Sequence, residues 1–232
     1  MVSAMSSAIS VDGLTREVTV GSWRLPGFLT IPQRASALVI FAHGSGSSRF
    51  SVRNHQVAKA LNRAGWATLL FDLLHPDEEM TQGRARVFDV PFLAMRLVEA
   101  VEWADVTLGD ETLPIGLFGA STGAAAALLA TAELDDRIGA VVSRGGRPDL
   151  AGESLNDVTA PTLLIVGGAD HGIIELNQHA LSRLKGPASL EIVPGATHLF
   201  PEPGAMEKVT ALATQWFKRY LSLSPAEVPH AF

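Results

Sequence analysis

Five continuous apolar runs, separated by segments of helical spacing, leave this chain few ways to fold. Ala37–His43 (ALVIFAH), Trp66–Asp72 (WATLLFD), Pro114–Phe118 (PIGLF), Ile138–Ser143 (IGAVVS) and Pro161–Val166 (PTLLIV) show no alternation of polar and apolar residues. A strand that is apolar on both sides has to be covered on both faces, as in a parallel sheet wrapped by helices. The intervening segments supply the cover. Arg53–Ala64 places Val57, Leu61 and Ala64 at helical spacing and stops at Gly65; Val90–Val106, Ala124–Ala132, Ile173–Leu184 and an amphipathic Met206–Leu221 follow the same rule. Leu190–Pro194 adds a last strand, and Arg16–Val20 with Trp23–Ile31 form a hairpin through Gly21 and Ser22. His75–Ala85 is polar and reads as a surface excursion. The expected α/β fold is a mostly parallel sheet of about seven or eight strands with helices on both faces. No internal repeat or linker divides it, so residues 1–232 read as one domain, with residues 1–10 small, polar and frayed.

Composition narrows the function classes. Hydrophobic residues at 47% against 18% charged provide for a large core and exclude a disordered chain. A net charge of −6 with no Lys/Arg run repels a phosphate backbone, which argues against nucleic-acid partners. With no cysteine, disulfides, thiolate metal sites and a cysteine nucleophile are all excluded. Leu113–Ala132 is apolar over a length that can span a bilayer, yet Pro114, Gly116, Gly119, Ser121, Thr122 and Gly123 mark it as strand, turn and helix. No membrane partner is expected. Met1–Ser10 lacks basic residues ahead of an apolar core, unlike a secretory signal, so a cytoplasmic location is expected.

Gly119-Ala120-Ser121-Thr122-Gly123 carries the chemistry. This G-x-S-x-G spacing suits a serine held on a sharp strand-to-helix turn, its hydroxyl raised above the sheet. Side chains two residues to either side would collide with such a turn, and glycines remove the collision. The helix begins at once, and its amino end favours a developing oxyanion.

A serine hydroxyl needs a base to take its proton, and the base needs a group to hold its tautomer. On nucleophile turns of this kind the order along the chain is serine, acid, histidine. Asp170 follows the PTLLIV strand in Gly167-Gly168-Ala169-Asp170, and His198 follows the last strand in Gly195-Ala196-Thr197-His198. Both stand just beyond the carboxyl ends of strands, where open α/β sheets place their ligands. Asp149 and Glu153 are the alternative acids, and Asp170 has a second reading as a helix cap. His171 reads as a rim group, His179 and His230 as surface residues; His43, His55 and His75 precede the serine and break the order.

Phe41-Ala42-His43-Gly44-Ser45-Gly46 closes the first core strand, which assigns the backbone N–H groups of Ser45 and Thr122 to an oxyanion hole and gives His43 a bracing role. The same stretch supports a competing, non-catalytic reading. Gly44-x-Gly46 lies between strand and helix, and Asp72 ends the next strand 26 residues beyond Gly46, as in a dinucleotide cradle. Arg49 occupies the third glycine position, however, and no Gly-Lys-Ser/Thr follows.

From the His43-Gly44 turn through GASTG and GGAD to GATHLF, nearly the whole chain resembles the dienelactone hydrolase-like branch of the α/β-hydrolase superfamily. The resemblance implies an α/β-hydrolase fold and catalytic Ser121, Asp170 and His198, with serine where the name-giving enzymes use cysteine. Ester-type cleavage (ester, lactone or thioester) through an acyl-enzyme follows, with no cofactor or metal required. No insertion long enough for a large lid separates the elements, which points to small acyl substrates. Arg144 and Arg147, in Ser143-Arg144-Gly145-Gly146-Arg147, follow a strand and suit a substrate carboxylate; local salt bridges are the plainer reading. The sequence leaves a homodimer open.

Overall fold

The computed structural model describes residues 13–109 and 113–221. The amino-terminal ten residues and His230 lie outside them. The five apolar runs become β3 (Leu38–Ala42), β4 (Ala67–Phe71), β5 (Ile115–Ala120), β6 (Ile138–Arg144) and β7 (Thr162–Gly167), with nearly every residue buried. The hairpin forms as β1 (Leu14–Val20) and β2 (Leu25–Ile31), and β8 (Ala188–Val193) closes the far edge. One sheet of eight strands results, in the order β1-β2-β4-β3-β5-β6-β7-β8. β2 meets both neighbours antiparallel, and every pair from β4 to β8 is parallel.

Residue alternation divides the core in two. Leu38, Ile40 and Ala42 face one side, together with α3 (Val90–Leu108) and α4 (Thr122–Leu134). Val39 and Phe41 face the other, with α1 (Val52–Arg63) and α6 (Ala205–Tyr220). The crossover helices also include α5 (Ile173–Leu181). Because β3, β5, β6, β7 and β8 run parallel, their carboxyl ends gather at one edge, bringing the loops that begin at His43, Ser121, Gly145, Gly168 and Pro194 together. Leu113–Ala132 is divided between strand and helix, and no described helix is long and apolar enough to cross a membrane.

The polar segment from His75 departs from expectation: it is a helix, α2 (Pro76–Val87). Its start is well specified. Pro76 occupies the first helical position, and the Glu78 carboxylate reaches back to accept the His75 N–H at 2.8 Å, half of a capping box. Glu78 also accepts both prongs of Arg96 from α3, at 2.7 and 2.9 Å. Arg96 is fully buried, donates to the Leu73 carbonyl and lies over the rings of Trp23 and Phe92. Burial pushes the Glu78 pKa up, but the hydrogen bonds from Arg96 and His75 and the Arg96 charge outweigh it and hold the carboxyl below its ordinary 4.5.

Removing Glu78 strands a buried guanidinium. Glu78→Ala is expected to lower the unfolding free energy by about 3 kcal/mol in urea. Since the folded pKa is depressed, the pair stabilises above the ordinary carboxyl value and its contribution fades as pH falls through the folded value. Acid sensitivity below about pH 4.5 should therefore weaken in Glu78→Gln. An unchanged urea midpoint for Glu78→Ala would contradict this role.

Candidate active site

β5 runs directly into α4, and the turn between them sets Ser121 at φ 51°, ψ −121°. For a residue with a Cβ this conformation costs about 1–3 kcal/mol, so its surroundings must enforce it. They do so by close approach. A Cβ on Gly119 would stand 2.4 Å from the Ala124 Cα, and one on Gly123 would stand 2.3 Å from the Ala42 carbonyl oxygen. Neither position tolerates a side chain while β3, β5 and α4 keep their spacing. Ser121 itself is pinned by main-chain bonds: its N–H donates to the Arg144 carbonyl at 3.3 Å, and its carbonyl accepts from Arg147 at 3.1 Å.

The loops after β7 and β8 bring Asp170 and His198 to this turn. Asp170 Oδ2 lies 2.7 Å from His198 Nδ1, and His198 Nε2 lies 3.3 Å from Ser121 Oγ. An ionised carboxylate only accepts, so the short contact places the imidazole proton on Nδ1 and turns the Nε2 lone pair toward the serine hydroxyl. The Thr197 hydroxyl donates to Glu202 at 2.6 Å across the His198 loop.

The other candidates are engaged elsewhere. Asp149 accepts both prongs of Arg147, at 2.8 and 2.7 Å, and Glu153 pairs with Arg183 at 3.0 Å. His171 and His179 are exposed, and His75 Nε2 bonds to the Trp23 carbonyl. His43 is buried; its Nε2 accepts from the Leu73 N–H at 3.0 Å, so its proton lies on Nδ1, toward the Gly44 carbonyl. It braces the loop. In the competing cradle, Asp72 would hold a ribose. Instead its two carboxylate oxygens take the Arg49 main-chain N–H and guanidinium, and that pair closes the loop over the third-glycine position.

Two of the groups singled out in the sequence already have partners. The Ser45 N–H does not stand open: it donates to the Thr122 hydroxyl at 3.0 Å. Sequence spacing had attended to the Thr122 amide and missed its side chain, which the residue type at that position alone could have flagged. Arg147 makes the local salt bridge that was its plainer reading: Asp149 takes its fork and, chiefly through that hydrogen bond, raises its pKa. Arg144 stands apart: it is buried and, among the described residues, has no such partner. The glycines after it have a spatial cause: a Cβ on Gly145 would stand 2.9 Å from the His198 carbonyl oxygen.

A mostly parallel sheet of eight strands whose central strand ends in such a turn defines the alpha/beta hydrolase fold. Residues 35–216 match the alpha/beta hydrolase domain family, and the chain belongs to it. The dienelactone hydrolase from Anabaena variabilis ATCC 29413 is 52% identical, with a TM-score of 0.83 over 90% of this chain and 97% of that one, which places the chain in the dienelactone hydrolase-like branch. The fold is shared with XC6422 of Xanthomonas campestris, described as an a/b serine hydrolase without lid, at 19% identity and a TM-score of 0.73 over 91% of this chain and 97% of that one. Proteins of two Mycobacterium tuberculosis strains, CDC 1551 and H37Rv, provisionally named phosphoribosyl transferases, are 54% identical over 205 residues. That region is 88% of this chain but 46% of theirs, so the chain spans about half the length of these curated relatives.

The glycine walls are open to direct test. Gly123→Ala forces a methyl group into backbone oxygens and is expected to destabilise the fold by about 3 kcal/mol in chemical denaturation. A midpoint equal to that of the unaltered protein would refute the close approach.

Proposed function

We propose that this chain is a serine hydrolase that cleaves small ester-type substrates through an acyl-enzyme. The observation that carries the reading is the file of Asp170, His198 and Ser121, joined at 2.7 and 3.3 Å above the edge of the sheet. Ser121 Oγ attacks the acyl carbonyl as His198 Nε2 takes its proton, and Asp170 holds the imidazole and stabilises the imidazolium. The tetrahedral oxyanion sits on the amides of Thr122 and Ser45, displacing the Thr122 hydroxyl from the latter; one such donor is worth about 3 kcal/mol. His198 then returns its proton to the leaving alcohol, and water releases the acyl group by the reverse path. Beside the oxyanion position, Leu73, Leu74, Val87 and Leu93 line a narrow apolar recess with His43, Gly44 and Ser45, with a volume of about 10 Å³, room for about one water.

Membership of the alpha/beta hydrolase family and a dienelactone hydrolase at 52% identity support hydrolysis over transfer. The transferase name belongs to proteins of which this chain matches 46%, and the alpha/beta hydrolase family match lies almost wholly within that shared part.

With p-nitrophenyl acetate as substrate, Ser121→Ala is expected to lower kcat by about 10⁴-fold or more, and Asp170→Asn by about 10⁴-fold, with melting temperatures near that of the parent. Turnover undiminished in Ser121→Ala would sink the assignment.

A further inference from the structure

The buried threonines of this fold spend their protons, with one exception. Thr131 Oγ1 donates to the Ala127 carbonyl at 2.7 Å, Thr162 Oγ1 to the Ala160 carbonyl at 2.9 Å, and Thr68 Oγ1 to Asn62 Oδ1 at 3.4 Å. Thr122 is only 4% exposed, and its Oγ1 accepts the Ser45 N–H at 3.0 Å. Among the described residues, nothing accepts the proton of Thr122 in return. The usual outlet, a bond back to the carbonyl four residues earlier, is out of reach because Thr122 opens α4 and Phe118 lies within β5.

Burying a hydroxyl without using its proton costs free energy, and the surroundings suit an apolar side chain. Leu73, Leu74, Val87 and Leu93 line the recess that Thr122 shares with His43, Gly44 and Ser45. Valine has the same shape and would pack there without that cost. The idle proton therefore points to a use outside the resting state, and its position says which. Oγ1 stands against the Ser45 nitrogen, one of the two amides assigned to the oxyanion, and the other amide is the main-chain N–H of Thr122 itself. The hydroxyl thus borders the place where negative charge forms when Ser121 attacks, at the positive end of α4.

We propose that the Thr122 side chain is a further catalytic group, its hydroxyl serving as a third donor to the oxyanion. This deepens the hydrolase reading and rests on it. As Ser121 Oγ bonds to the acyl carbon, the carbonyl π pair moves onto oxygen. That oxygen takes the Ser45 N–H from Thr122 Oγ1, and the released hydroxyl turns its own proton to the same oxygen. No proton is transferred: the Thr122 O–H bond stays intact. When the carbonyl re-forms and the leaving group departs, the hydroxyl returns to accept from Ser45. One neutral hydrogen bond is exchanged for two charge-assisted ones, each roughly twice as strong. The gain exists only once charge has developed, so it lowers the barrier without tightening the binding of substrate. Between turnovers the same hydroxyl keeps the Ser45 amide partnered.

Thr122→Val keeps the shape of the side chain and removes the hydroxyl. With p-nitrophenyl acetate, kcat and kcat/KM are expected to fall together, about tenfold to a hundredfold, and Thr122→Ser, which keeps a hydroxyl, to recover most of the loss. Phenylboronic acid, whose adduct on Ser121 is a tetrahedral anion, should inhibit Thr122→Val about tenfold or more weakly than the parent. Thr122→Ala keeps the test decisive if the valine variant does not fold. Turnover in Thr122→Val equal to or above that of the parent makes the hydroxyl a plug on the Ser45 amide and overturns the proposal. A loss as large in Thr122→Ser as in Thr122→Val assigns the effect to packing and also overturns it. A parent that turns over no ester fails the hydrolase reading, whereas an active parent with an unimpaired valine variant fails only this one.

Discussion

The contact between the β5–α4 turn and the end of β3 governs this structure. Gly123 lies so close to the Ala42 and His43 carbonyls, and Gly119 to the Ala124 backbone, that the chain can turn from strand to helix only by forcing Ser121 to a positive φ. The strain is held by a sheet whose central strands are buried on both faces and by main-chain bonds from Arg144 and Arg147. The hydroxyl is thus presented at the junction of a fully buried strand and a largely buried helix.

Parallel strand direction does the rest of the gathering. Serine, acid and histidine are separated by 49 and 28 residues, yet each follows a strand of the same polarity, so all three emerge at one edge. Around them the fold distributes charge selectively. Arg49 is matched with Asp72 after β4, Arg96 of α3 with Glu78 of α2, and Arg147 with its neighbour Asp149.

Much of this was legible in the sequence. Runs such as ALVIFAH and PTLLIV can be satisfied only by two-sided burial, so strands and their parallel arrangement followed from composition and length. GASTG, GGAD and GATH were legible because each sits where a strand must end. The helix from Pro76 was not, since its polar residues give no apolar stripe; Pro76 and the three acids after it were the signal, and its start is held by Arg96, which lies 18 residues beyond Glu78. Side-chain pairings were likewise out of reach. Nothing in the spacing says that Thr122 accepts from the Ser45 amide, or that Arg147 turns to Asp149 while Arg144 turns inward. Such choices are made by three-dimensional neighbours.

The central claim is that the fold arms one serine among many by holding it against a carboxylate-oriented imidazole. Reaction with a fluorophosphonate, followed by peptide mass spectrometry, tests it most directly. The account predicts a single stoichiometric adduct on Ser121 that disappears when His198 is replaced by alanine. An adduct on another residue, or labelling of Ser121 that proceeds equally fast without His198, would contradict it.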